Sequence, residues 1–322
     1  MSQELPGLFD LQVNGFAGVD YNHGDTPAEE LHKSFTVMRT TGVVGCLPTI
    51  ITSSTEHFAR CARSIIASGN KLVAGLHMEG PYISPVDGPR GAHDLAHVCE
   101  ASIEDFKRRQ DSAEGQIRLV TLAPEVPGAL ELTAYLAGEG IAIGIGHSAA
   151  NDRQIADAVS AGATHSTHLG NGCFSRMDRH HNSLWPQLAS DALIPGLIVD
   201  GHHLTRAFVQ SVIKAKTPRR SVLVTDAVAA AAAPPGRYAL ADWEVERAAS
   251  GKVTAVGGGH LAGSSLTLDD AVARTCQWTG LDFETVWAMG STQPAAVVGL
   301  TVTETITVDW NTETSALKIV NP

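Results

Sequence analysis

At 322 residues the chain has room for one large α/β domain or two smaller ones. Its net charge of −11 excludes the basic stripe that nucleic acid or an anionic membrane would require, though not a small anionic substrate, which a few local cations can serve. The five cysteines (Cys46, Cys61, Cys99, Cys173 and Cys276) are scattered, odd in number and without a Cys-x-x-Cys pair, so neither a thiolate zinc cage nor a disulfide framework is expected and a reducing cytoplasm is the expected location.

The opening residues, MSQELPGLFD, lack the basic and apolar regions of a secretory signal, and no apolar run approaches the ~18 residues of a membrane span. Apolar runs then alternate with helix-like segments. The first run, residues 8–14, stops at Gly15, and a helix is predicted over 27–40 with Glu29 and Glu30 in its first turn, where the helix dipole favours them. The second run, 43–51, leads through Thr52-Ser53-Ser54 into another helix ending near Ile66. The third is LVAGLHMEGPY, in which apolar residues from Leu72 to Leu76 end on His77, Met78 and Glu79 before Gly80-Pro81. Further runs cover 117–122, 141–145, 163–167, 196–199 and 221–225, and the last four stop on His147, His168, Asp200-Gly201-His202-His203 and Asp226. Apolar runs without alternation mark parallel strands covered on both faces.

Eight such strands with helical crossovers predict a (β/α)8 TIM-type barrel. An open dinucleotide-binding sheet is disfavoured, because no G-x-G-x-x-G follows the first strand; Gly257-Gly258-Gly259 comes late and reads as a turn. Residues 237–256 are expected to form a β-hairpin inserted after strand eight, and two or three helices to follow over 266–298. A reduced satellite β segment is expected at the C-terminus, giving a barrel over 6–300 and a short β segment over 301–322. The alanine-rich stretch 227–233 fits equally a helical turn or a small-residue lining beside a pocket.

In a barrel the C-terminal ends of different strands converge on one mouth, which here collects Gln12, Asn14, Glu79, His147, His168, His203 and Asp226. A lone strand-end histidine is more often a hydrogen-bonded structural residue than a ligand. Two imidazoles and a carboxylate with an open fourth position, however, make a catalytic zinc sphere, and Asp226 is placed to take a proton from a water acidified to a pKa of about 7. The convergence itself predicts a mononuclear metal hydrolase.

The motifs GLHMEGPY, GHSAA, THLGN, DGHH, VTDA and LAGSSLT occur in an order and spacing that resembles the N-acetylglucosamine-6-phosphate deacetylase family of the amidohydrolase superfamily. The resemblance runs from Pro6 to Pro294. It implies a TIM-type barrel, one divalent metal ion (zinc in the first instance), a homodimer, and hydrolysis of the N-acetyl amide of an amino-sugar phosphate. Glu79, His147 and His168 match the family's metal ligands, and Asp226 its general base and acid. His93, in Gly91-Ala92-His93, matches the histidine that polarises the substrate carbonyl. Asn171 and Gly172, the latter in place of a usual alanine, match the part of the family that contacts the sugar phosphate; His203 matches a substrate-binding histidine, Leu261 the loop that closes over the sugar, and Ala92 a substrate-binding position. Gln12-Val13-Asn14 stands where many amidohydrolases carry His-x-His, and no lysine ends strand four, so one metal is expected rather than two.

Departures from the family pattern lie mostly after the sixth strand. There Asn171-Gly172-Cys173 and Arg179-His180-His181-Asn182 replace the usual residues, and ungapped counting lands Arg179 on the phosphate-binding arginine, which in the family reaches across a dimer interface. Arg176 and Arg90 are the alternatives. Adjacent His180 and His181 are read as loop residues rather than a second metal site. The rival functions are an amidohydrolase of an unphosphorylated N-acyl amino sugar or cyclic amide, and an inactive sugar-binding barrel.

Overall fold

The computed structural model describes residues 2–322. Eight parallel strands follow one another around a single sheet in chain order: Leu8–Val13, Val43–Ile51, Leu76–Glu79, Ile117–Leu122, Ala142–Ile145, His165–Ser166, Ile194–Leu197 and Val222–Leu223. The sheet curls until its ends meet. Val13 pairs in parallel with Ala227, Asn14 N donates to Ala227 O at 2.7 Å, and Asp226 N donates to Gln12 O at 2.9 Å. This is the expected (β/α)8 barrel. Its strands are buried along almost their whole length because both faces are covered, by each other inside and by helices outside.

The crossover helices follow from local chemistry. Ala28–Thr40 buries Leu31, Phe35 and Met38 on one face, and Thr55–Ala67 starts at Ser54, whose hydroxyl accepts from His57 N at 3.1 Å. Three helices, Leu268–Thr279, Phe283–Met289 and Thr292–Val297, complete the outer layer.

Hydropathy located the strands but not their limits. The third begins at Leu76, not Leu72, because Gly75 (φ +148°) lies against the Arg118 side chain and the residues before it touch the second strand only through a Cys46–Val73 bridge. The sixth shrinks to two residues, although Thr164 N and Thr167 N still donate to Ile143 O and Ile145 O beyond it. The insertion after strand eight is a three-stranded antiparallel sheet rather than a hairpin: Gly236–Leu240, Trp243–Arg247 and Val253–Ala255. Its own small core joins Leu240, Val245, Val253 and Ala255 to Val228 and Ala262. The alanine run takes no helical form. It packs flat on the loop after the first strand, where a Cβ on Gly15 would come within 2.7 Å of Ala229 N. At the other end of the barrel Thr305–Asn311 and Ala316–Asn321 form the satellite sheet together with Ser2–Pro6, a strand the sequence pattern does not announce.

Inside the barrel, Asp10 ties the first strand to the eighth. Its carboxylate accepts from Thr225 Oγ1 at 2.5 Å and from Gln12 N at 3.2 Å. Burial pushes its pKa from 3.8 up to about 7, against the pull of those hydrogen bonds. The folded protein therefore binds a proton at Asp10 that the unfolded chain releases above pH ~4. The stabilisation from this group is complete below pH ~4 and is lost as pH rises through about 7. At ~1.4 kcal/mol per pH unit the full span amounts to about 4 kcal/mol. Asp10→Asn removes the term, so the stability difference between wild type and variant, measured by urea unfolding at pH 5 and pH 8, is expected to shift against the wild type at the higher pH. An unchanged difference would rule Asp10 out as its source.

Candidate metal centre and active site

Each residue of the centre stands where a barrel strand ends. Glu79 is the last residue of the third strand, and Gly80 follows with φ +76° where a Cβ would lie 2.2 Å from Thr52 Oγ1. His147, His168 and Asp226 come just after strands five, six and eight, with φ of +50°, +31° and +49°. Non-glycine residues seldom occupy this left-handed region, and three of them around one cavity indicate backbone held in place by the surrounding barrel for function.

The three metal-ligand candidates converge. His168 Nε2 lies 2.9 Å from Glu79 Oε1 and 3.1 Å from His147 Nε2, and His147 Nε2 lies 3.4 Å from Glu79 Oε1. All three residues are buried, and one ligand atom from each falls within 4.8 Å of the others. Among the described residues no other group of this kind forms. His147 Nδ1 donates to Pro89 O at 3.0 Å, so Nε2 is the nitrogen turned to the cluster. Burial opposes the charge of Glu79, yet the hydrogen bonds and charges of His147 and His168 hold its carboxyl well below the usual range. Two nitrogens and an ionised oxygen facing one point fit a divalent cation, which would sit where the three ligand atoms meet.

Gln12 and Asn14 act as donors. Gln12 Nε2 donates to Glu79 Oε1 at 2.9 Å and to Asp226 Oδ1 at 3.1 Å, and Asn14 Nδ2 donates to Asp226 Oδ1 at 2.7 Å. The two amides thus aim both carboxylates into the centre. Burial, with the Glu79 charge adding, raises Asp226 to about 6, the range of a carboxylate able to take and return a proton near neutrality. His93 is also buried; its Nδ1 lies 2.8 Å from Thr52 Oγ1 and its Nε2 3.2 Å from His147 Nε2. Burial, reinforced by His147, lowers His93 to about 3 and keeps it neutral.

The centre forms the floor of a cavity of about 790 Å³. Ala92, His93, Asn171, Gly172, His203 and Leu261 line it beside Glu79, His147, His168 and Asp226. Arg179 does not: it stands exposed on the loop after strand six, its carbonyl accepting from Trp185 Nε1 at 3.0 Å. Arg176 faces a separate cavity of about 670 Å³ with Met177 and His181. Arg90 borders the main cavity but pairs with Asp87 and donates to His93 O at 3.0 Å. His180 and His181 are exposed loop residues whose backbone N–H groups bind Asp178 Oδ1. The sequence reading missed Trp243 and His260, which the insertion folds over the mouth. Nothing local marked them, since their place depends on where a separate sheet docks.

No family model matches the chain. It is 32% identical to an N-acetylglucosamine-6-phosphate deacetylase from Lysinibacillus sphaericus over 305 residues, 92% of this chain and 76% of that protein. It is 34% identical to an N-acetylgalactosamine-6-phosphate deacetylase from Escherichia coli O157:H7 over 303 residues, 92% of this chain and 78% of that protein. The chain belongs to the N-acetylglucosamine-6-phosphate deacetylase family. Among solved structures, a mutant N-acetyl-D-glucosamine-6-phosphate deacetylase from Mycobacterium smegmatis, in complex with N-acetyl-D-glucosamine-6-phosphate, superposes with a TM-score of 0.89 at 25% identity, covering 98% of this chain and 84% of that one. Membership together with the buried Glu79–His147–His168 cluster makes the protein a metal-dependent hydrolase of amide bonds, a deacetylase within the amidohydrolase superfamily. No helix is long and apolar enough to cross a membrane.

Proposed function

We propose that the protein removes the acetyl group from an N-acetylhexosamine 6-phosphate, N-acetylglucosamine-6-phosphate first, giving the amino-sugar phosphate and acetate. The observation that carries this reading is the carboxylate of Asp226 standing free of the cation ligands yet hydrogen-bonded through Gln12 to Glu79, one of them. Glu79, His147 and His168 would hold one zinc ion, which when bound supplies Lewis acidity to the acyl oxygen and to the attacking water. Asp226, oriented by Gln12 and Asn14, takes the proton from that water. His93 donates from Nε2 to the acyl oxygen as charge grows there, with the Thr52 hydroxyl donating to its Nδ1. Asp226 then returns the proton to the leaving amine, and the bond that breaks is the amide C–N.

Asn171, Gly172, His203, Ala92 and Leu261 bind the sugar phosphate around the cavity wall. Arg179, standing outside its own cavity on an exposed loop, supports a homodimer in which each subunit lends this arginine to the other. The unpaired thiols of Cys46, Cys61 and Cys276, all buried, suit a reducing cytoplasm.

Acetate release from N-acetylglucosamine-6-phosphate, N-acetylgalactosamine-6-phosphate and the two free sugars tests the reading. A phosphorylated substrate is expected to exceed its free sugar in kcat/KM by at least about tenfold, as a charged anchor of ~1.5–3 kcal/mol provides. Equal rates on the free sugars would replace it with an unphosphorylated N-acyl sugar hydrolase.

A further inference from the structure

Beside the metal centre, the same cavity wall carries a second carboxylate–imidazole pair. Asp200 follows the seventh barrel strand, and its Oδ2 lies 2.7 Å from His203 Nδ1, with the two side chains only 8% and 6% exposed. The geometry is fixed from three sides. Asp200 Oδ1 accepts from His202 N and His203 N, both at 2.8 Å, closing the loop on itself. Arg274 donates to Asp200 O from the helix Leu268–Thr279. Gly201, at φ +83°, makes the turn, where a Cβ would come within 2.9 Å of the Arg274 guanidinium. Asp200 is held ionised: burial opposes its charge, but the His203 hydrogen bond and the two backbone N–H groups outweigh it.

An ionised carboxylate only accepts, so His203 Nδ1 carries the proton and the ring presents Nε2, which has no hydrogen-bond partner among the described residues, to the cavity that His203 lines. Of the other cationic groups there, Arg90 is already committed to Asp87 and to His93 O. His260 borders the rim on an exposed glycine-rich turn, without comparable support. We propose that Asp200 is a positioning residue that acts through His203 to give the cavity its preference for a sugar bearing an anionic group. This inference rests on the reading of the substrate as an amino-sugar phosphate. A phosphate oxygen meets Nε2 through one shared proton, brought by the monoprotonated phosphate, so the ring is hydrogen-bonded on both sides, to the carboxylate behind it and to the phosphate in front. The buried aspartate of a hydrolase triad supports its histidine in the same way.

Asp200→Asn tests the inference, because the amide oxygen keeps both backbone hydrogen bonds while an N–H2 group replaces the acceptor at Nδ1. For the variant, KM on N-acetylglucosamine-6-phosphate and the inhibition constant of inorganic phosphate are expected to rise about tenfold or more, with kcat changed far less. The kcat/KM ratio of the phosphorylated to the free sugar should fall by the same factor. A purely structural role would lower both substrates together and leave that ratio intact. His203→Gln, which leaves Asp200 on its backbone partners, should reproduce the loss and serves if Asp200→Asn does not fold. A wild-type enzyme that prefers the phosphorylated sugar, with variants that keep the preference, overturns this inference alone. A wild-type enzyme indifferent to the phosphate overturns both it and the substrate reading.

Discussion

Asp226→Asn is expected to lower kcat on the acetylated substrate by about 10³-fold or more, at the upper end of general acid–base effects. Metal content should stay at the wild-type level. The substitution is nearly isosteric, and Asp226 is not one of the three clustered ligand residues. Gln12 and Asn14 both donate to Oδ1, a role the amide oxygen can keep, so what the substitution removes is the basic Oδ2, and with it both the acceptor for the water proton and the donor to the leaving amine. Losing both steps at once makes the effect larger on turnover than on binding, so KM should move little. Metal analysis and steady-state kinetics on one preparation decide the matter. A metal-replete variant with near-normal kcat would assign the proton transfers elsewhere.

The other large effect concerns the ligand set. His168→Ala deletes a nitrogen that lies 2.9 Å from the Glu79 carboxylate and 3.1 Å from His147 Nε2. The remaining pair offers a divalent cation one imidazole and one carboxylate, too few to compete with a chelator. Bound metal and activity are both expected to fall, activity by about 10³-fold, in line with several kcal/mol of Lewis-acid stabilisation at ~1.4 kcal/mol per decade. Chelated wild-type enzyme should regain activity on adding zinc, whereas the variant should not. Full activity in either metal-free protein would remove the cation from the reaction.

Much of this protein was legible before folding. Apolar runs that end abruptly on His, Glu or Asp encode the barrel and its mouth together, because a buried parallel strand tolerates polar groups only where it emerges. Glu79, His147, His168 and Asp226 were therefore found by position and type, and the same logic placed Gln12 and Asn14 beside them. What the sequence left open depended on contacts between distant segments. Whether the alanine run coiled into a helix was decided by the flat approach of Gly15 and Ala229. That Ser2–Pro6 forms a strand was decided by the partner it meets some 300 residues later, at Thr305–Asn311. Arg179 matched a phosphate ligand by counting, yet its loop carries it away from its own cavity, while Trp243 and His260 enter from a docked sheet that no local signal announces. Left-handed backbone at His147, His168 and Asp226 is likewise invisible in residue type, since nothing about histidine or aspartate demands it. Chemistry-bearing residues follow from local solvation preference, which each segment carries within itself; aim, reach and pairing follow from which segments the closed barrel presses together.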